Sequence, residues 1–130
     1  MRKFLKGLFW LMSVIVYRIK VNGKENLPKE GAALICPNHV HALDTVLVVV
    51  HNKRKINVLA KEELFENGAL RFLAKVFGVY PVKQNSADLS AIKTSLKLLK
   101  NNELLLIYPE GTRNGMEKGK PVKNGPMTIA

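Results

Sequence analysis

Two short apolar runs, each closed by a proline and each followed at once by a polar cluster, set the tightest limit on how this chain can fold. Ala32–Cys36 stops at Pro37 and leads into Asn38, His39, Val40, His41, Ala42, Leu43 and Asp44. Glu103–Tyr108, apolar throughout its core, stops at Pro109 and leads into Glu110, Gly111, Thr112 and Arg113. Runs of this length without polar alternation fit strands covered on both faces, and proline ends each because it has no amide to donate. Strands buried on both faces belong to largely parallel sheets with helices packed on them.

The remaining pattern agrees. Tyr17, Ile19 and Val21 alternate with Arg18, Lys20 and Asn22, which predicts a half-exposed strand ended by the turn pair Asn22, Gly23. Thr45–Val50 reads as a helix with Asp44 in its first turn, and Ile56–Ala60 as the next strand. Glu62–Phe77 is helical in two stretches broken near Asn67 and Gly68, and Val79–Val82 is a brief strand. Ser86–Lys100 is the clearest helix: Leu89, Ile92, Leu96 and Leu99 recur at spacings of three and four, Ser86 caps it, and its lysines face outward. Asn101 and Asn102 turn the chain into the last strand. The whole reads as one α/β domain with no internal repeat. Gly125–Ala130 looks like the opening of another helix without a cap or packing partner, so the domain is expected to continue.

The N-terminus adds a separate element, residues 1–20, ahead of the domain at 21–130. Its uncharged stretch, Gly7–Tyr17, is eleven residues. At ~1.5 Å per residue that covers roughly 16 Å, about half of a ~30 Å hydrocarbon layer. Arg18, Ile19 and Lys20 replace the small residues of a signal-cleavage site, so the segment is expected to be retained. Phe4, Trp10 and Tyr17 flanked by Arg2, Lys3, Lys6, Arg18 and Lys20 suit a helix lying in a lipid headgroup zone; a core helix is the competing reading. Twenty-one Lys and Arg against ten Asp and Glu leave a net charge of +11, which calls for an anionic partner or surface: phosphate in a small molecule, a bilayer or a nucleic acid. The single cysteine, Cys36, excludes a disulfide framework and a thiolate zinc site, fits a reducing compartment, and is expected to be buried beside the active edge.

If the two proline-closed strands run parallel, both polar clusters lie at one carboxyl edge of the sheet, where open α/β folds bind ligands. His39 and Asp44 are five residues apart, about 140° around a continuous helix, so they can meet only across a bend. A loop holding His39 and a helix starting near Asp44 supplies one. The carboxylate then accepts from one imidazole nitrogen and leaves the other free as a general base. No serine stands beside the pair, so the base would act directly on a substrate hydroxyl. A loop histidine next to a helix-starting aspartate, with no chemistry attached, fits the same spacing. A metallohydrolase reading would use His39, His41 and Asp44, with His51 as a distant ligand, but the spacing after the second histidine departs from that pattern. In the second cluster Gly111 permits a positive φ or a close approach, Thr112 offers a hydroxyl and an amide, and Arg113 a planar fork for phosphate. Glu110 would steer the loop or hold Arg113. A plain turn with a surface arginine fits that tetrapeptide too.

Taken in order, NHxxxxD after one strand and EGTR after a later one closely resemble the 1-acyl-glycerol-3-phosphate acyltransferase family of glycerolipid acyltransferases. The resemblance runs from about Val21 to Ala130 and takes in Leu59-Ala60-Lys61-Glu62-Glu63-Leu64-Phe65 and the Gly78–Val82 segment leading to the helix at Asp88. It implies that His39 deprotonates the acceptor hydroxyl, that Asp44 orients it, and that the hydroxyl attacks an acyl thioester of coenzyme A or acyl carrier protein. No metal or other cofactor is implied. Glu110, Gly111, Thr112 and Arg113 would hold the acceptor phosphate of lysophosphatidate, with Lys61 adding charge. Backbone amides near the dyad are the expected oxyanion donors. The resemblance also implies association with the cytoplasmic face of a membrane and no nucleic-acid partner; a non-catalytic basic module for anionic lipid or nucleic acid is the alternative. Two departures stand out: Lys83, followed by Gln84, replaces the arginine usual in a second phosphate-binding block, and the apolar, proline-containing block beyond EGTR is absent. The expectation is therefore a domain truncated at its C-terminus, whose own activity is not assured.

Overall fold

The computed structural model describes residues 1–41, 43–83, 89–111, 119 and 125–130. Four parallel strands form the sheet: β1 (Ala33–Ile35), β2 (Ile56–Lys61), β3 (Val79–Val82) and β4 (Leu104–Leu106), in the spatial order β1-β4-β2-β3. Helices α1 (Arg2–Ile15), α2 (Asp44–His51), α3 (Gly68–Phe77), α4 (Leu89–Lys100) and α5 (Gly125–Ile129) surround it. The sequence therefore reads correctly as α/β, a sheet with flanking helices. The strand order places β4 between β1 and β2, so the loops after β1 and β4 are neighbours at the carboxyl edge although 71 residues separate His39 from Glu110.

Alternation along the central strands decides what faces what. Ile56 and Val58 of β2 and Leu104 and Leu106 of β4 are almost fully buried, and Val49 of α2 packs on them with Val48, Phe77, Val79 and Tyr108 around the rim. Leu105 and Asn57 point to the other side and are equally buried. The Asn57 amide reaches Glu103 Oε2 at 2.8 Å and the Leu104 carbonyl at 3.2 Å, which satisfies its donors inside the sheet. Pro81 sits in β3, an edge strand among the described residues, where a missing amide costs no ladder bond. Below the sheet Arg54 gathers three carbonyls, those of Pro28, Gly31 and Asn102, and so ties the loop before β1 to the turn before β4.

Several expectations need correction. Residues 17–21 are no strand: Arg18 takes φ 50°, and the Ile19 amide turns back to the Ser13 carbonyl, so the segment terminates α1 instead of extending. The buried side of α4 is Ser95 and Leu98, with Leu89 and Leu96 exposed, so the core face lies to one side of the leucine repeat read from the sequence. Ser95 is tolerated there because its hydroxyl donates to the Ala91 carbonyl. The cap expected at Ser86 falls outside the described residues. α5 does have a packing partner, α4, and Ile129 is buried. The break near Asn67 holds: its side chain accepts the amides of Ala69 and Leu70 and starts α3.

α1 is amphipathic in an unusual sense. Phe9 meets Phe77 edge-on with ring centroids 6.0 Å apart, the Lys6 ammonium donates to the Asn52 carbonyl, and buried Ser13 lies 3.4 Å from His51 Nε2. The polar residues Lys6 and Ser13 thus face the protein. Phe4, Leu8, Leu11 and Ile15, at spacings of four, three and four, form the opposite face and stand 75%, 54%, 47% and 64% exposed. No described helix is long and apolar enough to cross a membrane.

Candidate active site

The loop after β1 carries His39 over the carboxyl edge, and α2 begins at Asp44, supplying the bend that the spacing demanded. Asp44 Oδ2 lies 3.3 Å from His39 Nδ1 and also accepts the amides of Val40 at 2.9 Å and His41 at 2.7 Å. A carboxylate can only accept, so the Nδ1 proton points at Asp44 and Nε2 of the neutral ring keeps a free lone pair. Burial pushes the Asp44 carboxyl up, but the His41 and Val40 amides and the His39 ring outweigh it and hold the group below the ordinary aspartate value. The acid is therefore ionised at neutral pH and suited to stabilise a protonated imidazole.

From the second cluster, Glu110 is 4% exposed and its Oε1 accepts the His39 amide at 3.2 Å. This contact ties the loop after β4 to the His39 backbone, as the first of the two roles expected of Glu110 requires; the second, holding Arg113, falls outside the described residues. Gly111 takes φ 66° and donates its amide to the Tyr108 carbonyl, the left-handed turn that glycine allows without a Cβ penalty. Thr112 and Arg113 lie outside the described residues. Lys61 ends β2 and Lys83 follows β3, both exposed, so the strand order puts them along the same edge, one and two strands from β4.

The other candidates separate from this pair. His41 Nδ1 accepts the Leu43 amide at 3.2 Å and so serves the loop that starts α2. His51 closes α2, seven residues and on the order of 10 Å beyond Asp44, with Nδ1 at 3.0 Å from the Leu47 carbonyl. Among the described residues, no three His, Cys, Asp or Glu side chains converge as a metal site. Cys36 is exposed, contrary to expectation, because it has left β1 and begun the loop. Among the described residues, the amides of residues 39, 40, 41 and 43 are bonded to Glu110, Asp44, Asp44 and His41, so these four are not open oxyanion donors.

Sequence reading missed Tyr108. Its ring stacks on the His39 imidazole at a centroid distance of 4.0 Å and an interplanar angle of 24°, and its hydroxyl lies 2.9 Å from Thr45 Oγ1. Burial pushes the phenol up, and the bond to Thr45 offsets part of that. An aromatic ending a buried strand reads as core, and nothing in its spacing to His39 marks the contact.

The acyltransferase family matches residues 18–130. A 1-acyl-sn-glycerol-3-phosphate acyltransferase of Bacillus subtilis is 36% identical over 113 residues, 86% of this chain and 56% of that protein. One of Borreliella burgdorferi is 29% identical over 132 residues, 100% of this chain and 52% of its own. A chloroplastic one of Arabidopsis thaliana is 26% identical over 117 residues, 88% and 33% respectively. The chain thus spans about half the length of the two bacterial relatives. No solved structure matches it.

Proposed function

This chain belongs to the acyltransferase family, and from that premise we propose that it serves to move a fatty acyl chain from an acyl thioester to the free hydroxyl of 1-acyl-glycerol-3-phosphate. The observation that carries the proposal is the His39 Nδ1 to Asp44 Oδ2 contact of 3.3 Å at the carboxyl edge of a parallel sheet, which leaves Nε2 as the base. Nε2 takes the hydroxyl proton as the oxygen attacks the thioester carbonyl. The tetrahedral oxyanion collapses, the carbon–sulfur bond breaks, and the leaving thiolate recovers the proton from the imidazolium. Asp44, ionised and held by two amides, stabilises the charge that the ring acquires between those steps. The reaction needs no resident metal or cofactor, only the thioester co-substrate, acyl-CoA or acyl carrier protein.

Gly111, Thr112 and Arg113, with Lys61 and Lys83 along the same edge, are proposed to hold the acceptor phosphate, and Glu110 to fix the loop that presents the base. Lys83 is a point charge where a guanidinium would grip two oxygens, so it directs a phosphate without fixing its orientation. The outward apolar face of α1 is proposed to lie in the cytoplasmic leaflet.

His39→Ala tests the base. Turnover with lysophosphatidate and acyl thioester should fall by about 10²- to 10⁴-fold while acceptor binding persists, and unchanged turnover would refute the assignment. Arg113→Ala should instead raise the acceptor KM.

A further inference from the structure

We propose that Tyr108 is a positioning residue for His39, the platform that fixes the plane of the catalytic imidazole; the inference rests on the acyl-transfer reading above. The hydrogen bond to Asp44 is 3.3 Å long, at the weak end of the range, and a single bond along one axis leaves the ring free to rotate about that axis. Rotation would swing Nε2 away from an incoming hydroxyl. A flat surface 4.0 Å beneath the ring removes that freedom, and the 24° angle between the planes is close enough to parallel for the faces to meet.

The platform is itself fixed. Tyr108 packs on the cluster formed by Val49, Ile56, Val58, Leu104 and Leu106, and its hydroxyl is held at 2.9 Å by Thr45. Thr45 is the residue after Asp44, so one turn of α2 carries both the carboxylate at the edge of the imidazole and the anchor of the ring beneath its face. The backbone of His39 is held by Glu110, two residues beyond Tyr108. The imidazole is therefore constrained at one edge and one face, and its backbone at a third point, by only two short segments, residues 44–45 and 108–110. The stack also acts on the charge: when His39 takes a proton, its cationic ring lies over the negative face of the phenol, an attraction absent from the neutral ring. The aromatic ring matters for this role more than the hydroxyl does.

The test compares Tyr108→Phe, which keeps the ring and loses the Thr45 bond, with Tyr108→Met, which fills similar space without a ring. In the unsubstituted protein the carbon-bound protons of His39 should resonate upfield of those of exposed His41, because they lie over an aromatic face. They should stay upfield in the Phe variant and move downfield in the Met variant. Acyl transfer should drop about 10- to 100-fold in kcat for Met, with acceptor KM changed by less than about threefold, and recover to within about threefold for Phe. His39 resonances that do not shift between the protein and its Met variant, or a kcat that survives once they have shifted, would overturn the proposal. Should the Met variant fail to fold, the upfield position of His39 in the unsubstituted protein and the kcat of the Phe variant still decide it. The resonance measurement needs no turnover, so an unsubstituted protein that transfers no acyl chain would sink the acyl-transfer reading while the His39 resonances still report the stack.

Discussion

Glu110 Oε1 accepts the backbone amide of His39 at 3.2 Å and so fastens the loop after β4 to the loop after β1. Glu110 is 4% exposed, and the bond it makes to the half-buried His39 is part-buried. Removing the acceptor leaves the amide to whatever water reaches it; a fully buried donor without a partner costs ~1–3 kcal/mol, and a part-buried one falls at the low end, about 1 kcal/mol. Glu110→Ala should therefore lower the urea-unfolding free energy by that amount, and Glu110→Gln, which keeps an oxygen in place, by less than half of it. Equal losses in the two variants would show that the amide bond is not what Glu110 contributes.

Asp44 and Glu103 set the acid limit of the fold. Asn57 and Lys55 hold the Glu103 carboxyl below its ordinary 4.5, and Asp44 is held below its ordinary 3.8 by the His41 and Val40 amides and the His39 ring, against a burial effect that pushes it up. A carboxyl depressed in the folded state binds fewer protons than in the unfolded chain, so its stabilisation is complete above the unfolded value and is lost as pH falls through the folded one. Unfolding midpoints should be flat in these two groups from pH 7 to about 5 and then decline. Glu103→Gln should make that decline shallower; an unchanged slope would show that the Asn57 bond does not distinguish the charged from the neutral acid.

What the sequence made legible follows from the range of each interaction. Strands β1, β2, β3 and β4 and helices α2 and α3 could be read because burial on both faces and local caps such as Asn67 are written in consecutive residues. The contact of His39 with Asp44 was also legible, since a loop-to-helix boundary lets residues five apart meet, but the same spacing fits a pair with no chemistry attached, so its role was not. The contacts of Tyr108 with His39 and Thr45 were not, because they depend on β4 lying beside β1, a strand order that no local pattern encodes. Residues 17–21 misled for the opposite reason: their alternation is real, but one left-handed residue, Arg18, overrides it. Glu110 stands between these cases, its role in the loop being readable and its partner not.

Gly78 links α3 to β3 at φ +76°, a conformation that costs an L side chain ~1–2 kcal/mol. Space is short as well: a Cβ there would meet Asn57 Oδ1 at 3.0 Å and Lys55 Cε at 3.2 Å. Lys55 can move, since it is a flexible chain end, whereas Asn57 is fully buried and bound to Glu103 and to Leu104. Gly78→Ala should thus cost more than the backbone conformation alone, about 2–3 kcal/mol in denaturant unfolding. The loss should shrink in an Asn57→Ala background, where the neighbour is gone. Additive losses would show that the two residues do not touch.

The outward face of α1 makes a prediction about lipid. A helix that turns Lys6 and Ser13 toward the protein and Phe4, Leu8, Leu11 and Ile15 away from it presents an apolar face to the leaflet contact proposed above. Leu8 and Leu11 are each about half exposed, so immersing what remains of them is worth roughly 1 kcal/mol apiece. Replacing both with serine should weaken partition into phosphatidylglycerol-containing vesicles roughly 30-fold, the equivalent of about 2 kcal/mol. Both positions face away from the core, so circular dichroism should report the same fold. Added salt should weaken binding further in the unsubstituted protein, through Arg2, Lys3 and the other basic residues near that helix. Equal flotation of the double variant and the unsubstituted protein would rule out this face as the one that meets the bilayer, and loss of binding with salt alone would assign the contact to charge.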